Sequence, residues 1–205
     1  MGSADAVTAP RGPGRPRLGE QDSRTALMLA AAREFARNGY AATNIRDILR
    51  AAGVTTPTMY HYFASKADLY IAVVEAGVGE LRDRMRDAGA TGCGNLAEDF
   101  DAVLAGIDQV YRAHPHLIDL LLGVEAALRV HAELAELSDV DSTLLDFWRT
   151  LGGQRLSDPA LAAFRGLVEG YIRLGRQAPD LDAYDGSQRI YREILRAGLA
   201  GHPDL

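Results

Sequence analysis

Residues 43 to 66 constrain the fold of this chain more than any other stretch. They read Thr-Asn-Ile-Arg-Asp-Ile-Leu-Arg-Ala-Ala-Gly-Val-Thr-Thr-Pro-Thr-Met-Tyr-His-Tyr-Phe-Ala-Ser-Lys. Ile45, Ile48, Leu49 and Ala52 recur at helical spacing and give one apolar stripe. Gly53 then makes a tight turn, with Val54 packing beneath it. A second short helix follows, with Thr56 as expected N-cap and Pro57 at the first helical position, where its missing amide costs nothing. Met59 and Phe63, four apart, face inward. Thr58, His61 and Tyr62 are left pointing outward and Tyr60 at the edge. Two short helices joined in this way are the layout of a helix-turn-helix, whose second helix enters the DNA major groove.

The remaining pattern is helical throughout, and no stretch shows sustained period-two alternation. The expected fold is all-α, with about nine helices. A helix over Asp22–Asn38 carries Leu27, Met28, Ala31 and Phe35 on one face and stops at Asn38-Gly39. Thr43 is the expected cap of the next helix. A fourth helix opens at Ser65, with Asp68 as a capping-box-like partner, and runs to about Asp87. Further segments are expected over Leu96–Tyr111, Leu117–Leu137 and Val140–Leu151, then from Asp158-Pro159 to about Arg176, and from about Gly186 to Leu199. These divide the chain into a basic arm (1–20), a three-helix head (21–67) and a helical body (68–205).

Charge follows the same division. Residues 1–70 hold nine Arg and Lys against six Asp and Glu, whereas residues 71–205 hold 13 against 22. A mildly basic head on an acidic body suits nucleic-acid contact confined to one end. One cysteine excludes an internal disulfide framework, no apolar run reaches the length of a membrane span, and the polar N-terminus does not read as a signal peptide. A cytoplasmic protein is expected. No phosphate loop, nucleophile elbow or HExxH motif is present, so an enzyme is not expected, and neither is a cofactor or a metal.

Taken together, Leu27-Met28, Ala30-Ala31, Phe35, Gly39-Tyr40, Thr43, Ile45, Ile48, Ala52-Gly53-Val54-Thr55, Thr58-Met59-Tyr60, Phe63, Ser65-Lys66 and Leu69 resemble the N-terminal domain of TetR-family regulators. The resemblance covers about residues 24–70. Glu34 and Leu49 depart from the family pattern, where an apolar residue and alanine are usual. The resemblance implies a bacterial homodimer that reads a palindromic DNA operator. It also implies a repressor that a small, largely apolar ligand releases, with dimerisation through the last two long helices. A DNA-binding regulator without any effector is the alternative.

The DNA-facing candidates follow from hydroxyl, aromatic and cationic chemistry. Thr43, Tyr60 and Lys66, the only lysine in the chain, suit phosphates. Thr55, Thr56, Pro57, Thr58, His61 and Tyr62 suit base edges or the thymine methyl. Arg11, Arg15 and Arg17, spaced by Gly and Pro, form either a minor-groove arm or a solvated tail. In the body, Tyr111, His131, Phe147 and Trp148 are pocket candidates, although an aromatic on an apolar helix packs into a core more often than it lines a pocket. The stripe Leu161, Phe164, Val168 and Tyr171, the small residues Gly166 and Gly170, and Ile190 and Ile194 are candidates for a dimer interface. Intramolecular packing would use the same pattern.

Overall fold

Among the described residues the regular structure consists of eight α-helices and one turn of 3-10 helix, with no strand. The computed structural model describes residues 18–88, 96–137 and 157–200. The expected helix over Val140–Leu151, with Phe147 and Trp148, lies outside these residues, as do Cys93 and the arm bearing Arg11, Arg15 and Arg17.

The head comprises α1 (Leu18–Ala42), α2 (Ile45–Ala52) and α3 (Thr56–Tyr62). The Asn38-Gly39 stop signal is present as a break inside α1 rather than its end. Gly39 takes φ +73° and ψ 170°, and one more helical turn follows it. Thr43 does not cap α2. Asn44 does, accepting the Arg46 amide at 2.9 Å. Gly53 closes α2 at φ +67°, a left-handed conformation that favours glycine. The cap of α3 is Thr55, one residue before the expected Thr56. The Thr43 hydroxyl is held instead by carbonyls of α1, and at α3 the Thr55 hydroxyl accepts the Thr58 amide at 3.4 Å.

The body begins with α4 (Lys66–Asp87), where Ser65 accepts the Asp68 amide at 3.0 Å as the capping pattern predicts. It continues with α5 (Leu96–Ala113) and α6 (Pro115–Leu128). The helix expected to continue to Leu137 ends at Leu128. A 3-10 turn over Ala132–Leu134 follows, so His131 sits in a connection and not on a helix. Then come α7 (Asp158–Gln177), capped by Ser157, and α8 (Leu181–Ala200), which starts five residues earlier than expected.

α4 holds the molecule together. Leu69, Val73, Val74, Leu81 and Met85 are buried along it, in one core that runs unbroken from the head into the body. Its crossing with α5 is close enough to require glycine. A Cβ on Gly106 would lie 2.7 Å from the backbone N and Cα of Met85, atoms that cannot rotate away.

The last two helices attach to α5 by both packing and polar bonds. Leu161, Phe164, Val168 and Tyr171 are 0–7% exposed, and the Phe164 ring lies 4.1 Å from that of Phe100. This stripe is therefore intramolecular core, not a dimer surface. Gly170 likewise makes room for the Tyr191 hydroxyl, which would come within 2.9 Å of a Cβ there. Asp108 of α5 accepts from the Tyr171 and Tyr184 hydroxyls at 2.7 and 2.6 Å, and from Arg192 at 3.4 Å. Arg192 also donates to Asp101 at 2.8 Å.

Removing the Asp108 carboxylate would leave two phenols without their acceptor. Asp108→Ala is expected to destabilise the fold by about 3 kcal/mol, the range for breaking a part-buried charged network. Equilibrium urea unfolding measures this directly.

Candidate nucleic-acid interface

α3 divides its side chains cleanly. Met59 is fully buried and Phe63, just past the helix end, is 6% exposed, which anchors one face of the helix in the head. The opposite face carries Thr55, Thr56, Pro57 and His61, all exposed, and Tyr60 at 53% exposure. Such exposure is unusual for a tyrosine in a short helix with no covering neighbour. Thr58 is half-buried, and its hydroxyl lies 2.8 Å from that of Thr55. Tyr62 turns partly inward onto the core, with its ring 5.0 Å from His61. The structure thus brings together Thr55, Thr56, Pro57, Thr58, Tyr60 and His61 on one surface. Arg46 of α2 is exposed beside Asn44, and Arg50 pairs with Asp47.

Thr43 is not part of that surface. It is 3% exposed, and its hydroxyl donates to the carbonyls of Gly39 at 2.7 Å and Glu34 at 3.1 Å. With its one proton so engaged, the hydroxyl staples the end of α1 and is not a phosphate donor. Asn44 is the capping residue that local pattern alone did not separate from its neighbour.

Lys66 also has a partner inside the chain. Its Nζ donates to the Ala41 carbonyl at 3.2 Å and lies 4.7 Å from the centre of the Tyr40 ring. Burial pulls its pKa below the ordinary value, against the attraction of Glu133. Tyr40 is the hub of this region. Its ring contacts Phe35, Tyr70 and His131, at 4.8 Å for His131, and its hydroxyl donates to Glu133 at 3.2 Å. His131 Nδ1 stands 3.5 Å from the same carboxylate oxygen. His131 is therefore a joint between head and body, not the expected pocket residue. Tyr111 is likewise committed, stacked on Tyr184 at 4.9 Å with their planes 6° apart.

Sequence reasoning missed Tyr40 and Glu133 as partners because they are 93 residues apart. No local period links such a pair. Among the described residues, no group of three His, Cys, Asp or Glu side chains is arranged to hold a metal, and no helix is long and apolar enough to cross a membrane.

Comparison with known proteins agrees with this geometry. The family model described as bacterial regulatory proteins, tetR family, matches residues 27–73, the span from α1 into α4. The transcriptional activator FasR of Mycolicibacterium smegmatis is 38% identical over 72 residues, 35% of this chain and 33% of that protein. The chain thus covers about a third of the length of that curated relative. The transcriptional repressor KstR2 of Mycobacterium tuberculosis is 26% identical over 177 residues, 86% of this chain and 78% of that protein. Its solved structure superposes with a TM-score of 0.65 at 22% identity, covering 87% of this chain and 93% of that one. A TetR-family regulator from Agrobacterium tumefaciens has the same score at 17% identity, covering 85% and 97%. At these identities the structures speak for the fold.

The tyrosines at the joint make stability depend on alkaline pH. Burial, then the Glu133 charge, pushes Tyr40 up to about 12, and burial does the same to Tyr70. Both are raised from 10.0, so the folded state keeps protons that the unfolded chain loses. Their contribution is fully present below pH 10 and is lost as pH rises towards 12. Urea midpoints measured across this window are expected to fall, and to fall less steeply in the Tyr40→Phe, Tyr70→Phe double variant.

Proposed function

We propose that the chain is a TetR-family regulator that binds an operator in double-stranded DNA as a homodimer and represses transcription until a small molecule releases it. The observation that carries the DNA part is the division of α3. One side is locked into the head by Met59 and Phe63, and the other presents hydroxyl, phenol and imidazole groups to solvent. Rigid presentation of polar groups on a short helix is what major-groove reading requires. Tyr60 and the remaining protons of Lys66 would contact phosphates. Thr55, Thr56, Pro57, Thr58 and His61 would face the bases, with Tyr62 beside them. Arg11, Arg15 and Arg17 would add a minor-groove arm.

The homodimer reading has its support on the outer faces of α7 and α8. Ile190 and Ile194, one helical turn apart, are 55% and 66% exposed, and Leu174 is 38% exposed. A Cβ at Gly166 would meet nothing within 4 Å, which leaves room there for another helix. An apolar effector is supported by the family resemblance alone.

Binding-site selection from a randomised duplex library, followed by gel-shift titration, tests the DNA part. Tyr60→Ala is expected to weaken binding to all sequences while leaving the slope of log affinity against log salt nearly unchanged, because a neutral phenol releases no counterion. Thr58→Ala should change which base is preferred at one position of each half-site, by about 1–3 kcal/mol. Unchanged affinity and preference in both variants would remove α3 from the interface. Deletion of residues 1–17 is expected to cost most at A·T-rich flanks, as titration against flank variants would show.

A further inference from the structure

We infer that Glu133, carried by the body, competes with DNA phosphate for the ammonium group of Lys66 and thereby sets the affinity of the head for its operator. The inference rests on the DNA-binding reading proposed above, and it names the body residue that regulates that surface.

Tyr40 brings the two charges together. The Lys66 Nζ lies over its ring, 4.7 Å from the centre, and its hydroxyl donates to Glu133 Oε1 at 3.2 Å. One aromatic side chain thus carries a cation on its face and an anion at its tip. The same carboxylate oxygen stands 3.5 Å from His131 Nδ1. An ammonium group has three donors, and Lys66 gives one to the Ala41 carbonyl at 3.2 Å. The charge and the remaining donors are what a phosphate requires, and they are what Glu133 attracts. Lys66 is half-buried, where salt screens a charge pair less than in open solvent.

Glu133 can change its distance from Lys66, whereas the other acid at the joint cannot. Asp68 also acts on Tyr40, but it lies on α4 two residues from Lys66, so the helix fixes its position. Glu133 belongs to the connection that follows α6. Leu134 and Leu137 anchor that connection in the core at 0% exposure, while Glu133 itself is 53% exposed. A rearrangement of the core around α6 therefore carries the carboxylate toward Lys66 or away from it. With Glu133 against Tyr40 the head is in its weaker DNA-binding state, and withdrawal of the carboxylate frees the ammonium for a phosphate.

Glu133→Gln removes the charge and keeps an oxygen that accepts the Tyr40 hydroxyl, so the joint retains its bond. Gel-shift titration at low ionic strength, with the duplex recovered by site selection, compares the full chain with Glu133→Gln, Lys66→Met and the double variant. Glu133→Gln is expected to bind at least about fivefold more tightly, the lower end of coupling between sites. Lys66→Met is expected to bind more weakly and to abolish the gain from Glu133→Gln. A general effect of removing one negative charge would persist without Lys66. An equal gain in both backgrounds therefore overturns the inference, as does the absence of any gain. A second readout needs no DNA. Lys66 is the only lysine, so isotope-labelled lysine gives a single side-chain Cε resonance. Burial lowers the titration midpoint of Lys66 and Glu133 raises it, so Glu133→Gln is expected to move the midpoint lower still. An unchanged midpoint overturns the inference. If the midpoint moves as expected but the unmodified chain binds no duplex, the DNA-binding reading itself has failed, and the inference falls with it.

Discussion

Close packing along α4 is the constraint on which the rest of the structure depends. Its first residue, Lys66, reaches the end of α1. Its middle passes Leu117 of α6, where a Cβ on Gly77 would collide with the leucine side chain at 2.3 Å. Its last turns lie against Gly106 of α5. A helix of 22 residues is about 33 Å long, so one rigid rod starts in the head and ends deep in the body. Among the described residues, the head helix α1 adds a second junction by packing against α6. The head cannot rotate on the body without disturbing a crossing that has no spare volume, because packed interiors transmit strain rather than absorb it.

The polar bonds of the body serve a different purpose from its apolar contacts. Leu161, Phe164 and Val168 would tolerate small slips of α7, since burial is non-directional. Asp108 would not, because its two phenol partners lie on different helices and each bond has a fixed length and direction. Arg192 then ties α8 to both Asp101 and Asp108, which lie about two helical turns apart on α5. The apolar stripe holds the helices together, and the carboxylates set their register.

Much of the architecture was legible from local chemistry. Gly53, Ser65 and the Asp158-Pro159 pair mark boundaries because each does something the backbone requires at that point. The inward positions of Met59 and Phe63 followed from helical spacing alone. The errors share a physical origin. Thr43 and Asn44 are both capping residues, and only the nearby α1 carbonyls decide that the threonine turns away. The stripe from Leu161 to Tyr171 is apolar whichever surface it meets, and periodicity carries no record of whether that surface belongs to the same chain. His131 was expected in a helix because Leu and Ala flank it, yet α6 ends three residues before it. Long-range partners such as Tyr40 and Glu133 leave no local trace.

The break at Gly39 has a consequence for how this architecture can be recombined. It separates Tyr40, Ala41 and Ala42 from the straight part of α1 and commits them to the joint. There they meet Lys66 of α4 and the His131–Glu133 turn. The natural seam between head and body is thus not a point in the chain but a patch assembled from three distant segments. A chimaera made by cutting once, after α4 begins, would carry Tyr40 into a foreign body without its carboxylate. Transplanting this head intact means moving residues 131–133 with it, so the unit of exchange is discontinuous in sequence though continuous in space.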